Sequence, residues 1–181
     1  MLSEFFWGQT VKKIIIRVFI VIAVLIFVTA FCFDNIKRNS VYYAKHTPHK
    51  EGTEPVLMMV VDNLDWICTP KIKTLKYDFD GPPCVQFYTS NGKQIGYIAP
   101  FRKKNYIYDD GEWEIRLILD CNFNPEFAHN DRHERIQITK LDNKGIKQSL
   151  YNKLQPIIDA QRKPKVNLQW LFDIVYKDKF N

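Results

Sequence analysis

Twenty consecutive residues, Ile14 to Phe33, carry a single charge, Arg17, and this run limits the possible folds more than any other feature of the chain. A helix rises about 1.5 Å per residue, so 20 residues cover the roughly 30 Å hydrocarbon layer of a bilayer. Inside a water-soluble core the same run of Ile, Val, Leu and Phe would need burial on every side. A 181-residue chain has little core with which to supply that. The sequence therefore predicts a transmembrane helix over 14–33, behind a short N-terminal segment, 1–13, that is expected to be cytoplasmic. Arg17 lies one turn from the basic end and can snorkel to the headgroups.

Signal-peptide cleavage is the competing expectation. Val28, Thr29 and Ala30 offer acceptable residues ahead of a cut near Ala30, which would release a secreted or periplasmic product. Against it, the lead before the apolar run is long, and the run continues through Phe31, Cys32 and Phe33. Retention as a signal anchor is the preferred reading. Lys12, Lys13 and Arg17 form a tighter basic cluster than Lys37, Arg38, Lys45 and Lys50 beyond the run, which favours an inside N-terminus and a translocated C-terminal domain.

Residues 34–54 are polar and turn-rich, with Pro48 and Gly52, and read as a tether. Residues 55–181 are then expected to form one extracytoplasmic domain. The apolar run Pro55 to Val61 reads as a short buried strand, although periodicity does not separate it from a helix. Asn91-Gly92 and Asp110-Gly111 each sit between runs of β-branched and aromatic residues, the pattern of hairpin turns whose central residues take positive φ. Arg135 to Leu141 can add a strand. Ile146, Leu150, Leu154, Ile157 and Ile158 recur at helical spacing, predicting an amphipathic helix kinked or divided at Pro156. Val166, Leu168, Trp170, Phe172, Ile174 and Tyr176 alternate, predicting a final strand. The expected class is α+β: a single transmembrane helix, then a mainly antiparallel sheet with one principal amphipathic helix and a C-terminal strand.

Charge excludes little. The formal excess is +6, and removing Lys12, Lys13, Arg17 and Glu4 leaves 23 basic against 19 acidic groups, spread along the chain. A nucleic-acid partner is not expected, since neither a dense basic stripe nor a reading motif is present. Of four cysteines, Cys68 and Cys84 flank a turn-rich segment and are disulfide candidates in an oxidising space, leaving Cys121 odd. His129 and His133, with Asp131, have spacing that suits a metal only on a helix, and the intervening polar residues read as a solvated loop. No metal or cofactor is expected. Asp109, Asp110, Glu112 and Glu114 read as turn and outer-strand residues rather than paired catalytic acids. There is no nucleophile elbow, phosphate loop, dinucleotide fingerprint or zinc-helix motif.

The candidate interaction loop is Phe101, Arg102, Lys103 and Lys104 with Tyr106, because aromatic and basic side chains together anchor interfaces. The expected function is non-enzymatic: a membrane-anchored protein-binding module of the bacterial envelope. The expected partner is either a periplasmic toxin, with this chain as its immunity protein, or a component of an envelope assembly. The bilayer is a second partner through 14–33. A metal-dependent hydrolase and a lipid or glycan binder are the alternative readings.

Overall fold

The computed structural model describes residues 2–102, 105–109, 111, 115–130, 135–136 and 143–181. The chain divides into two units, Met1–Asn35 and Ile36–Asn181. In the first, helix α1, Leu2–Arg38, begins. Its section from Val11 onward is long and apolar enough to cross a membrane or to serve as a signal anchor. The apolar side chains there are exposed, Phe19 at 68% and Phe27 at 73%, as lipid-facing or unpartnered residues would be. Thr29 returns its hydroxyl proton to the Leu25 carbonyl at 2.8 Å, so its polar group adds no unmet hydrogen bond to this surface.

The second unit is α+β. It holds α2 (Ser40–Ala44), α3 (Pro55–Asp62), a seven-stranded sheet, α4 (Asn143–Ala160) and α5 (Gln169–Phe180). The strands are β1 Leu75–Asp78, β2 Cys84–Tyr88, β3 Gln94–Phe101, β4 Asn105–Asp109, β5 Ile115–Leu119, β6 Pro125–Asn130 and β7 Arg135–Ile136. They lie in chain order and every neighbouring pair is antiparallel, so the sheet is a simple meander.

Both expected hairpins are present. Gly92 takes φ 81° and Gly111 φ 73° at the two turns. Val85, Phe87, Ile98, Tyr106, Tyr108, Leu117 and Ala128 are buried on the sheet face that meets the helices. From α4, Lys153 donates to the Tyr108 hydroxyl at 2.9 Å, with its ammonium 5.2 Å from the Phe87 ring centre. The same helix runs unbroken through Pro156 and buries Leu150, Leu154, Ile157 and Ile158, the stripe that its spacing predicts. Of the expected strand over 135–141, only Arg135–Ile136 falls within the described residues.

Three expectations are corrected. Pro55–Asp62 is a helix: Pro55 stands at its first turn, where the missing N–H is harmless, and Leu57 through Val61 are buried on all sides, so no face is left to show a period. The C-terminal alternation is also helical. Positions at i and i+4 belong to both a period of two and a helical face, and the fold buries one half of the alternating set, Leu168 and Phe172 with Phe180 beyond it. Trp170 and Ile174, the other half, stay exposed. The stretch 34–54 is not free chain: α1 runs to Arg38, and Val41 and Tyr43 of α2 are fully buried. The Tyr43 hydroxyl donates to the Val166 carbonyl and accepts the Leu168 N–H, both at 3.1 Å, while its ring lies 5.4 Å from Phe172.

Candidate functional site

The β3–β4 hairpin ends at Phe101 and Arg102. Arg102 has a positive φ of 58°, the left-handed conformation that turns a chain sharply, and its guanidinium lies 5.2 Å from the centre of the Phe101 ring. Phe101 is half-buried and Arg102 exposed. Lys103 and Lys104 lie outside the described residues.

Tyr106 differs from the sequence expectation of an exposed anchor. Its ring is only 4% exposed and stacks on Phe123 at 4.4 Å and 6°. Phe123 is presented by the β5–β6 turn, where the Asp120 carboxylate accepts the backbone N–H groups of Asn122 and Asn124 at 2.7 and 2.8 Å. That carboxylate holds the turn as an Asx motif. The Tyr106 hydroxyl donates to Asp62 at 3.3 Å, and burial, then the Asp62 charge, pushes its ionisation far above the ordinary tyrosine range. Lys179 of α5 forms an ion pair with the same Asp62 oxygen.

These groups line one cleft of about 690 Å³, whose wall includes Lys50, Asp62, Arg102, Tyr106, Cys121 and Lys179. Among the described residues, five segments build it: the connection between α2 and α3, the end of α3, the β3–β4 hairpin, the β5–β6 turn and the C-terminal part of α5 with Asn181. The α5 wall is fixed at its end, where the Phe180 carbonyl accepts the Lys50 N–H at 3.0 Å. The volume falls within the range of ligand clefts, about 300–1,000 Å³. Among the described residues of the wall, two basic groups, Lys50 and Arg102, remain beyond the Asp62 and Lys179 pair, with Asp178 as the other acid. Such a lining suits a carboxylate or hydrogen-bonding group. Asp62, Lys50, Lys179 and Cys121 had no sequence signal, because they come from distant segments that only the tertiary fold assembles.

Of the remaining candidates, His129, Cys68 and Cys84 do not line this cleft. His129 lies on β6, edge-on to Phe127 at 5.3 Å and paired in register with Arg116. It belongs to a strand, neither the loop nor the helix face considered for it, while Asp131 and His133 lie outside the described residues. No group of three metal-ligating side chains occurs among the described residues. Cys68 and Cys84 are separate thiols. Cys84 pairs with Asp78 in the β1–β2 ladder, whereas the Cys68 backbone is clasped by the Gln161 amide at 3.2 and 2.8 Å. Burial, then Asp78, raises the Cys84 thiol above its ordinary value.

Tyrosines carry the clearest pH linkage. Burial, reinforced by Cys68, pushes Tyr77 up to about 12, with its hydroxyl donating to the Pro70 carbonyl at 3.0 Å. Burial, then Glu54, raises Tyr151 as well. A folded value above the unfolded one, 10.0 for tyrosine, means that the folded state holds the proton more tightly. The Tyr77 contribution is complete below pH 10 and is lost as pH rises from there to about 12. Tyr77→Phe is expected to flatten the fall in stability over that window, read by urea unfolding at a series of alkaline pH values. An unchanged slope would contradict the assignment.

No family model, curated protein or solved structure matches the chain. The fold and site define a coarse class: an α+β domain with a meander sheet backed by helices and a polar cleft at one end of the sheet. An N-terminal helix able to span a membrane or act as a signal anchor precedes that domain. A narrower assignment depends on the chemistry of the cleft.

Proposed function

We propose that this chain is a membrane-anchored, non-enzymatic protein-binding module of the bacterial envelope, retained by residues 14–33, with its α+β domain on the extracytoplasmic side. One observation carries the reading: Arg102, beside Phe101 in the β3–β4 hairpin, lines a cleft in which Asp62 is neutralised by Lys179 and capped by Tyr106. A paired carboxylate and a tyrosine held neutral are poor proton-transfer groups, whereas exposed Arg102 and Lys50, which line the same cleft, offer charge-assisted hydrogen bonds to a partner's acidic side chain. Inserting an acidic loop into this cleft is the mode of binding that the reading implies. An immunity protein that occupies a periplasmic toxin, and an accessory subunit docked in an envelope assembly, both fit such a mode.

A photo-crosslinker placed at Arg102 in the full chain, in its native membrane, tests this. One discrete protein adduct is expected from position 102 and not from Gly92, the tip of the β2–β3 hairpin. Lys50→Glu should weaken the adduct about tenfold or more, since opposed like charges are unfavourable at an interface. Equal labelling from both positions, or an adduct indifferent to Lys50→Glu, would reject the cleft as the binding surface.

A further inference from the structure

Beyond the cleft, α5 carries a second surface. Its inner side is fixed: Phe172 and Phe180 are fully buried, and Gln169 donates to the Tyr43 carbonyl at 3.1 Å. Thr47 donates to Asp173 at 2.8 Å, tying the same side of α5 to the segment that follows α2. Among the described residues, the outer side has no such partners in its first two turns. Trp170 is 62% exposed and Ile174 65%, with Val166 just before the helix at 43%, whereas the neighbouring Val175 lines the cleft. At 100° per residue, Trp170 and Ile174 lie together opposite Phe172, with Lys177 at the far edge of the patch. Exposed Arg162, Lys163 and Lys165 precede it. From Arg162 to Asn181 the sequence holds five basic and two acidic side chains, an excess of three.

A tryptophan over aliphatic residues, bordered by lysine and arginine, is the composition of an interfacial membrane contact: the indole prefers the headgroup level and the cations meet anionic lipid. Chain connectivity supplies the second argument. Ten residues separate Phe33, the end of the apolar run, from Tyr43, and ten residues reach at most about 35 Å even when fully extended. Tyr43 is hydrogen-bonded to Val166 and Leu168 at the entrance of α5. A chain anchored through 14–33 therefore cannot carry this helix far from the lipid surface.

We infer that the outer face of α5, centred on Trp170 and Ile174 and bordered by Arg162, Lys163 and Lys165, is a second membrane contact that rests in the headgroup layer of an anionic bilayer. The inference rests on the anchoring reading above. Its consequence is orientational: with both α1 and α5 in contact with lipid, the domain is held in one attitude, and its cleft faces a fixed direction.

The test uses the full chain in vesicles of phosphatidylcholine and phosphatidylglycerol with brominated acyl chains, the Trp170 emission being isolated by subtraction of W170F. Trp170 is expected to be blue-shifted and to lose most of its intensity to bromine. The loss should diminish when Arg162, Lys163 and Lys165 are changed to Gln in anionic vesicles. I174S should reduce quenching without lowering the thermal midpoint, which a merely structural role would not allow. Trp170 open to aqueous iodide and untouched by bromine, in chains that float with the vesicles, would overturn this inference alone. Shielding from both quenchers would assign the face to a second copy and overturn it equally. Chains that fail to float would bring down the anchoring reading and this inference together.

Discussion

Replacing Phe172 by alanine is expected to lower the unfolding free energy by about 3–5 kcal/mol, the range for truncating a buried aromatic. Phe172 is fully buried, with its ring 4.5 Å from Tyr176, 5.4 Å from Tyr43 and 6.1 Å from Phe180. Its removal opens a cavity between α2 and α5 and loosens the support for the Tyr43 hydroxyl, which satisfies the Leu168 N–H. Domains are stable by only about 5–15 kcal/mol, so the loss is a large fraction of the total. Trp170→Ala, two positions away, should change stability by less than about 0.5 kcal/mol, as exposed substitutions do. Urea unfolding of the full chain in micelles measures both. Equal effects at 170 and 172 would mean that the two side chains share one environment, as the strand expectation required, and would contradict the helix.

The second large effect lies at the β4–β5 turn. A Cβ built on Gly111 would stand 2.1 Å from the Ile95 carbonyl oxygen and 2.8 Å from the Ile95 Cα, and Gly111 also has a φ of 73°. The neighbour is backbone in β3, at the bulge between the Phe87–Gly96 and Tyr88–Gln94 pairs, so it has no rotamer by which to retreat. Left-handed strain of about 1–2 kcal/mol adds to overpacking of about 1–3 kcal/mol. Gly111→Ala is therefore expected to destabilise by about 3 kcal/mol or more. Gly92→Ala is the matched comparison: its φ is 81°, but a Cβ there meets nothing within 4 Å. It should show only the conformational part, about 1–2 kcal/mol. Thermal unfolding of the two variants isolates the close approach to Ile95, and equal losses would disprove it.

These two positions also show what the sequence made legible. Glycine after Asn91 and Asp110 marked both hairpins, because the left-handed turn is a local demand that only a few residues meet. The α4 stripe was equally clear, since Leu150, Leu154 and Ile157 recur at i, i+4 and i+7, and the odd step would put Ile157 on the opposite face of a strand. The C-terminal alternation was ambiguous in principle: which half of the set is buried depends on Tyr43, more than 120 residues away along the chain. The run around Met58 and Met59 was ambiguous for another reason, because burial on every side erases periodicity. The segment 34–54 looked like a tether because Ser40, Tyr43 and Thr47 count as polar by type. Ser40 accepts the Asn63 amide at 3.2 Å, and Thr47 donates to Asp173 at 2.8 Å while accepting the Gln169 amide at 3.0 Å, so each enters the core with its hydrogen bonds met. Arg102 was identified from its loop composition. The cleft beside it was not, since Asp62 and Lys179 meet only through packing of α3 and α5.

Both proposals depend on the apolar helix remaining in the membrane. Alkaline extraction of native membranes, followed by mass measurement of the recovered full-length chain, addresses this most directly. The account predicts that the polypeptide stays with the lipid and retains residues 14–33. A polypeptide recovered in the soluble fraction and starting near Phe31 would contradict it.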